Sequence, residues 1–127
     1  MKLIIAGSRT IWDKSAVEYC LDKVQHELII TEVITGGALG VDTVADSVAK
    51  ERNIDRTIMF ANWGKYNNSA GPRRNKRLAN YGEVLLAIWD GKSDGTRDMI
   101  VKAEKDRIPT YVFLYDLETK TVTRDSA

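Results

Sequence analysis

The strongest constraint on the fold is a regular alternation of short apolar runs with segments of helical periodicity. Five runs predict strands, at Leu3–Ala6, Glu32–Thr35, Thr57–Phe60, Glu83–Trp89 and Thr110–Tyr115. Short apolar runs bounded by turn residues are typical of strands that are buried on both faces. Because strands that alternate with helices form parallel sheets covered on both sides, we expect an α/β fold with a five-stranded parallel sheet between two helical layers.

Four segments between or after these runs predict helices, from about Asp13, over Val41 to Ala49, from Pro72 to about Asn80, and from Asp94. Apolar residues recur in them at three- and four-residue spacing, and Asp13 and Asp94 are suitable caps. The segment LETKTVTRD, residues 117–125, alternates weakly and is either an additional strand in a hairpin or a frayed tail. A chain of 127 residues is close to the commonest domain size, so residues 1–127 are expected to form a single domain.

The composition indicates which partners and which cellular compartment to expect. A net charge of +1 gives no overall basic field, so nucleic acid is not an expected partner. Cys20 is the single cysteine, which excludes an intrachain disulfide and fits a reducing compartment. The apolar run Leu3–Ala6 is too short for a signal peptide or a membrane span. We therefore expect a cytoplasmic protein without a membrane partner.

Small and polar residues concentrate where three of the predicted strands end. The carboxyl ends of parallel strands meet at one edge of the sheet, where helix N-termini and backbone amides bind ligands. Glycines let the backbone approach an anion closely, and hydroxyl groups donate hydrogen bonds to phosphate oxygens. The expected ligand-binding residues are Gly7, Ser8, Arg9 and Thr10 in the first turn, Gly36, Gly37, Gly40 and Asp42 in the second, and Asp90, Gly91, Ser93, Gly95 and Thr96 in the third. The alternative is that the glycines only serve tight strand-to-helix turns.

A basic segment, GPRRNKR at residues 71–77, places four cations at the start of a predicted helix, where the helix dipole disfavours them. A nearby anion would explain this placement, with Arg73 or Arg74 and the adjacent Asn75 facing the crevice. A solvated basic surface is the alternative. A long polar loop, Ala61 to Gly71, is predicted before this helix, and its Trp63 is suited either to stack on a base or to pack the loop.

Neither the G-x-G-x-x-G fingerprint nor the P-loop motif is present, which argues against an ordinary dehydrogenase or NTPase. Asp42 and Asp90 are placed to hold a ribose hydroxyl or a metal ion, although Asp42 can equally cap its helix. No cluster with metal-ligand spacing is visible, so no metal is expected. The expected cofactor or ligand is of the nucleotide type.

Four motifs carry a family resemblance: GSRT, TGGALGVDTVA, a W-x-K-Y…AGPRRN segment and LLAIWDGKSDGT. They resemble the SLOG superfamily, a Rossmann-like group that includes the LOG phosphoribohydrolases and the Smf/DprA DNA-processing proteins. Within it the chain is most similar to the stand-alone YspA/YpsA-related members, over about residues 2–115. The resemblance implies the sheet order 3-2-1-4-5 and a nucleotide-related ligand. Members of such small groups often dimerise, so a homodimer is expected.

The resemblance implies less about catalysis. The LOG enzymes cleave the N-glycosidic bond of a nucleoside monophosphate with an arginine and a glutamate. At the glutamate's spacing from Gly95-Thr96 this chain has Met99, and the neighbouring Asp98 would point about 100° round the helix. Arg73 or Arg74 can match the arginine, which also suits binding alone.

Three functions therefore stay open. The first is binding or sensing of a nucleotide or nucleotide-derived ligand. The second is an N-glycosidase or phosphoribohydrolase that uses Arg73 or Arg74 with Asp42, Asp90 or Asp98 as the carboxylate. The third is DprA-like binding of single-stranded DNA through the cations of the 71–77 segment.

Overall fold

A computed structural model describes residues 1–125. The elements are β1 (Lys2–Gly7), α1 (Lys14–Glu27), β2 (Glu32–Thr35), α2 (Val41–Glu51), β3 (Asp55–Ile58), α3 (Trp63–Tyr66), a 3-10 turn (Asn67–Ser69), α4 (Ala70–Tyr81), β4 (Val84–Trp89), α5 (Asp94–Lys105), β5 (Thr110–Asp116) and β6 (Thr121–Arg124). None of the helices in this part of the chain is both long enough and apolar enough to cross a membrane.

The six strands form one sheet in the order β3-β2-β1-β4-β5-β6. The first five strands are parallel, with Ile4 of the central β1 paired to Ile34 on one side and to Leu85 on the other. β6 pairs antiparallel with β5. The predicted α/β sandwich is therefore confirmed, and so is the strand order 3-2-1-4-5. The segment 117–125 forms the additional strand rather than a frayed tail.

The side chains of the central strand β1 pack alternately into two separate apolar layers. Leu3 and Ile5 pack with residues of α1 and α2, whereas Ile4 packs with residues of α4 and α5. All three side chains have no exposed surface. Because both faces of the strand are covered, the run is apolar throughout instead of alternating with polar residues.

The third strand lies two residues earlier than its apolar residues predict. β3 is Asp55–Ile58 rather than Thr57–Phe60, because Asp55 pairs with Glu32 at the start of β2. Met59 still donates from its backbone N to the Thr35 carbonyl oxygen, but Phe60 leaves the ladder and is 65% exposed. This edge strand is mostly exposed, so burial does not fix its apolar pattern.

The predicted loop from Ala61 to Gly71 is largely helical. Asn62 caps α3 through its side-chain oxygen, which accepts from the backbone N of Lys65 at 3.1 Å. A 3-10 turn then leads directly into α4, which begins at Ala70, two residues before the expected start at Pro72. Proline is tolerated there because first-turn amides have no partner within the helix.

Candidate functional site

A cleft of about 510 Å³ opens where β1 and β4 end, between the start of α5 and the side of α4. We call it the carboxyl-end cleft. It is lined by ten of the residues expected to bind ligand, namely Gly7, Arg9, Thr10, Asp42, Trp63, Arg74, Asn75, Ser93, Gly95 and Thr96, and by the candidate carboxylate Asp98. The other expected residues, Ser8, Gly36, Gly37, Gly40, Arg73, Asp90 and Gly91, do not line it. Asn68 and Leu78 do, without any signal in the sequence pattern that singled them out.

Asp42 is buried at the start of α2 and is bonded to the turn that precedes this helix. Its Oδ2 accepts hydrogen bonds from the backbone N of Gly36 at 3.0 Å and of Ala38 at 3.2 Å. Burial raises the pKa of the Asp42 carboxyl to about 6, although these bonds and the charges of Arg74 and Arg9 act in the opposite direction. The Gly36 amide, which was expected to meet a ligand, is therefore already paired with a carboxylate of the chain, as is the neighbouring Ala38 amide.

Gly40 precedes α2 with a φ of 76°, a conformation that residues with a side chain rarely adopt. In this conformation the chain turns sharply enough for the Val41 amide to donate to the Ser8 carbonyl oxygen at 3.3 Å. The start of α2 is thus attached to the turn after β1. Gly40 serves the geometry of the turn and lies outside the lining of the cleft.

Arg74 and Asn75 join α4 to the second and third turns. The Arg74 Nη1 donates to the carbonyl oxygen of Gly36 at 2.6 Å, and its Nε donates to the Asn75 Oδ1 at 3.0 Å. The Asn75 Nδ2 in turn donates to the Gly95 carbonyl oxygen and to the Asp98 Oδ2. Burial lowers the pKa of the Arg74 guanidinium, while the Asp42 charge raises it. The arginine is held in one orientation before any ligand arrives.

The two arginines of the cleft differ from its carboxylates in their partners. Asp94 pairs with Arg97, and Asp98 pairs with Lys102 at 2.6 Å. By contrast, neither Arg9 nor Arg74 forms an ion pair with any of residues 1–125. Their hydrogen-bond or ring partners are neutral groups. Asp42 interacts with both guanidinium groups through its charge, but its carboxyl is bonded to backbone amides, so both groups can still contact an anion.

Trp63 covers one side of the cleft. Its ring lies 5.7 Å from the Arg9 guanidinium, measured from the ring centroid, and its Cη2 lies against Gly71 of α4. Trp63 is 48% exposed, so about half of its surface is open to solvent. An exposed indole beside a guanidinium is suited to stacking with a planar ligand.

Ser8, Asp90 and Ser93 form a hydrogen-bonded group that holds the turn after β4. The backbone N of Asp90 donates to the Ser8 Oγ at 3.0 Å, and the Asp90 Oδ1 accepts from the backbone N of Lys92 and of Ser93 at 2.9 Å. Burial acts to raise the pKa of Asp90, but these bonds hold it below its ordinary value. Ser8 and Asp90 therefore organise the turn, while Ser93 also reaches the cleft.

A second cavity, of about 950 Å³, lies beside α3 and the outer face of α4. We call it the aromatic-basic groove, and its side chains include Phe60, Trp63, Tyr66, Lys65, Arg73, Lys76 and Arg77. Arg73 stacks over the Tyr66 ring at 4.3 Å, and Arg77 donates to the Phe60 carbonyl oxygen at 2.7 Å. Of the two adjacent arginines, Arg74 thus faces the cleft and Arg73 faces the groove.

The candidate catalytic groups are unequally placed. Asp42 and Asp98 line the carboxyl-end cleft together with Arg74, whereas Asp90 and Arg73 do not. Met99, at the position where the LOG enzymes have a glutamate, is fully buried. Within residues 1–125 no group of histidine, cysteine, aspartate and glutamate side chains is suited to hold a metal ion. The cleft offers two arginines and three carboxylates, of which Asp94 and Asp98 are paired with cations and Asp42 has a raised pKa, so the two arginines remain the groups suited to an anionic ligand.

Comparison with known proteins gives a family and a fold. The model of the YspA, cpYpsA-related SLOG family matches residues 1–66, which agrees with the resemblance inferred from the motifs. No curated protein sequence is significantly similar to the chain. Among solved structures, DNA processing protein A from Helicobacter pylori, whose structure concerns its single-stranded DNA binding mode, is similar with a TM-score of 0.64 and 18% identity.

That similarity covers 88% of this chain and 64% of the DNA processing protein, so the chain spans less than two thirds of its length. At this identity it supports the fold. It also corrects one expectation: the exclusion of nucleic acid as a partner, drawn from the net charge of +1, is wrong, since a protein with this fold binds single-stranded DNA. A net charge averages over the surface and misses the local concentration of cations in the aromatic-basic groove.

Proposed function

The chain belongs to the YspA, cpYpsA-related SLOG family, and we propose that it binds the phosphate group of a nucleotide or nucleotide-derived molecule in the carboxyl-end cleft. The observation that carries this proposal is the pair of cleft arginines, Arg9 and Arg74, which form no ion pair within residues 1–125 and share the cleft with the buried Asp42, whose carboxyl is bonded to backbone amides. Arg74 is half-buried, so its charge is partly desolvated and an anion in the cleft would stabilise it. Arg9 is exposed and adds a second cation to the lining of the same cleft.

The start of α5 supports the same placement. Ser93, Gly95 and Thr96 line the cleft, and no side chain of the N-cap residue bonds to the first-turn amides. These amides and the positive end of the helix dipole favour a phosphate group. Arg74 is already fixed by its bond to Gly36, so it loses little conformational entropy when it binds.

The remaining volume suits the rest of a nucleotide. A cleft of about 510 Å³ falls within the range of small-molecule sites. Trp63 offers its exposed indole to a base, while the partly exposed carboxylate of Asp98 is of the kind that binds hydroxyls. The titration panel described next identifies which base binds.

The proposal is tested by isothermal titration of a panel of nucleoside monophosphates into the wild type and the Arg74→Ala variant. Loss of a charge-assisted bond costs about 1.5–3 kcal/mol, so affinity should fall roughly 10- to 100-fold. Arg56→Ala is the matched control, because Arg56 lies on the edge strand β3, pairs with Asp46 and does not line the cleft. Absence of binding by the wild type across the panel, or equal affinity of both variants, would overturn the proposal.

Asp42 favours a second candidate, an N-glycosidase acting on nucleoside monophosphates. A carboxyl whose pKa is near 6 can exchange a proton at neutral pH, and it lies in the same cleft as Arg74. Against this, Met99 replaces the glutamate that the LOG enzymes use. Chromatographic detection of a free base would support it, provided that Asp42→Asn or Asp98→Asn abolishes the release.

The aromatic-basic groove favours single-stranded DNA as a further ligand class. It combines aromatic rings, on which bases can stack, with cations that can contact phosphates. Proteins that bind single strands without sequence preference use this combination. The similar fold of the DNA processing protein, which binds single-stranded DNA, adds to this argument. Of the four cations of the 71–77 segment, Arg73, Lys76 and Arg77 line the groove, whereas Arg74 lines the cleft.

A further inference from the structure

The carboxyl-end cleft and the aromatic-basic groove meet at one residue. Trp63 lines both cavities, with the Arg9 guanidinium near its ring on the side of the cleft. Gly71 leaves room for the indole against α4. A ligand longer than one nucleotide can therefore extend from one cavity into the other past a single indole ring.

The two cavities differ in charge. Of the described residues, those that line the groove include four cations, Lys65, Arg73, Lys76 and Arg77, and no carboxylate. The cleft contains three carboxylates beside its two arginines. The groove is thus suited to a run of phosphates, whereas the cleft is suited to a single phosphate group.

Hydrogen bonds connect the elements that surround the cleft. Asn75 of α4 bonds to Gly95 and Asp98 of α5, which bridges the two helices. Arg74 bonds to Gly36 and so links α4 to the end of β2. An internal nucleotide continues into a phosphate on both sides, and the three carboxylates of the cleft oppose a second phosphate, so a nucleotide at the end of a strand suits the cleft better.

We propose that the two cavities form one composite site for the end of a single DNA strand. The terminal nucleotide lies in the carboxyl-end cleft. The bases of the next nucleotides stack on the aromatic rings of the groove, and their phosphates contact its cations. This inference rests on the proposed phosphate site in the cleft. It adds that the ligand is a strand with a free end.

The test compares linear and circular forms of one single-stranded DNA of about 30 nucleotides, labelled internally and followed by fluorescence anisotropy. The linear form is prepared with a 5′-phosphate, with a 3′-phosphate and without a terminal phosphate. We expect one phosphorylated linear form to bind at least tenfold more tightly than the circle. Equal affinity for linear and circular DNA would overturn the inference.

The groove is tested with the double variant Lys65→Glu/Lys76→Glu. Affinity for the linear strand should fall at least tenfold, and the salt dependence should weaken by about 1.4 in the log–log slope, about 0.7 for each lost contact. The matched control is Lys50→Glu/Lys105→Glu, the same charge change in the last turns of α2 and α5, at the opposite edge of the sheet. Circular dichroism checks that both variants fold. Equal losses in the two variants would overturn the role of the groove.

Titration of a nucleoside monophosphate separates this inference from the function on which it rests. If the monophosphate binds but no DNA does, the inference fails and the phosphate site stands. If the monophosphate does not bind while linear DNA is preferred over the circle, the mononucleotide function fails and recognition of a strand end stands.

Discussion

The Arg74 Nη1 donates a hydrogen bond of 2.6 Å to the carbonyl oxygen of Gly36, which joins the side of α4 to the end of β2. The guanidinium lies so close that a Cβ at position 36 would overlap it. Glycine is needed there to make room for Arg74. The second turn thus contributes to the candidate site by positioning a side chain that lines it.

Substitution of Gly36 by alanine should act through Arg74. Because the obstructing atoms are the end of a flexible side chain, the variant should fold and displace the guanidinium, at a cost of about 1–3 kcal/mol. Nucleotide affinity should then fall about as much as in Arg74→Ala. In a double-mutant cycle measured by titration, Gly36→Ala/Arg74→Ala should bind as Arg74→Ala does. Additive losses would show that the two residues act separately.

The buried Asp42 should make stability depend on pH. Its pKa of about 6 in the folded state exceeds the ordinary value of 3.8, so the folded protein binds more protons between these values. Stability from this group is therefore fully present below pH 4 and is lost as the pH rises through 6. Relative to Asp42→Asn, the free energy of unfolding should fall by about 2 kcal/mol from pH 4 to pH 7. Urea titrations across this range check it, and parallel curves would contradict it.

Trp63 and Trp12 form a natural pair for testing base stacking. Their exposed fractions are similar, 48% and 52%, but only Trp63 lines the cleft. Stacking contributes about 1–3 kcal/mol per base, so Trp63→Leu should weaken nucleotide binding roughly 5- to 150-fold. Trp12→Leu should bind as the wild type does in the same titration. Similar behaviour of the two variants would remove Trp63 from the site.

The bridge between α4 and α5 should respond to changes at Asn75. This side chain is 4% exposed and makes hydrogen bonds to Gly95 and Asp98, so Asn75→Ala should lower the free energy of unfolding by about 1–3 kcal/mol. Asn80→Ala, on the exposed face of the same helix, should change it by less than about 0.5 kcal/mol. Chemical denaturation measures both. Equal values would mean that the bridge contributes nothing to stability.

Most of the fold follows from the apolar pattern, and the exceptions have physical causes. The buried strands β1, β2 and β4 lie where their runs predict, because burial on both faces leaves one arrangement. β3 is an edge strand with mostly exposed residues, so its apolar run ended two residues beyond the paired segment. α3 was missed because four residues held by one cap at Asn62 are too short for a periodic signal.

The candidate site was harder to predict in detail than in location. Glycine-rich turns after three strands indicated the edge of the sheet at which the cleft opens. No sequence pattern indicated that Asp42 bonds the Gly36 and Ala38 amides, since this contact depends on the angle between α2 and its turn. Nor could it separate Arg73 from Arg74, because the rotation of α4 about its axis decides which arginine faces the cleft.

The strand that closes the sheet has a consequence for behaviour at high concentration. Without β6, the seven residues of β5 would present a row of unpaired amides and carbonyls at the rim, which is a template for pairing with another molecule. β6 occupies that position from Thr121 to Arg124 and is itself only four residues long, with mostly exposed polar side chains. A rim that short and hydrophilic offers little for a second chain to extend, so this hairpin protects the folded protein from edge-to-edge aggregation.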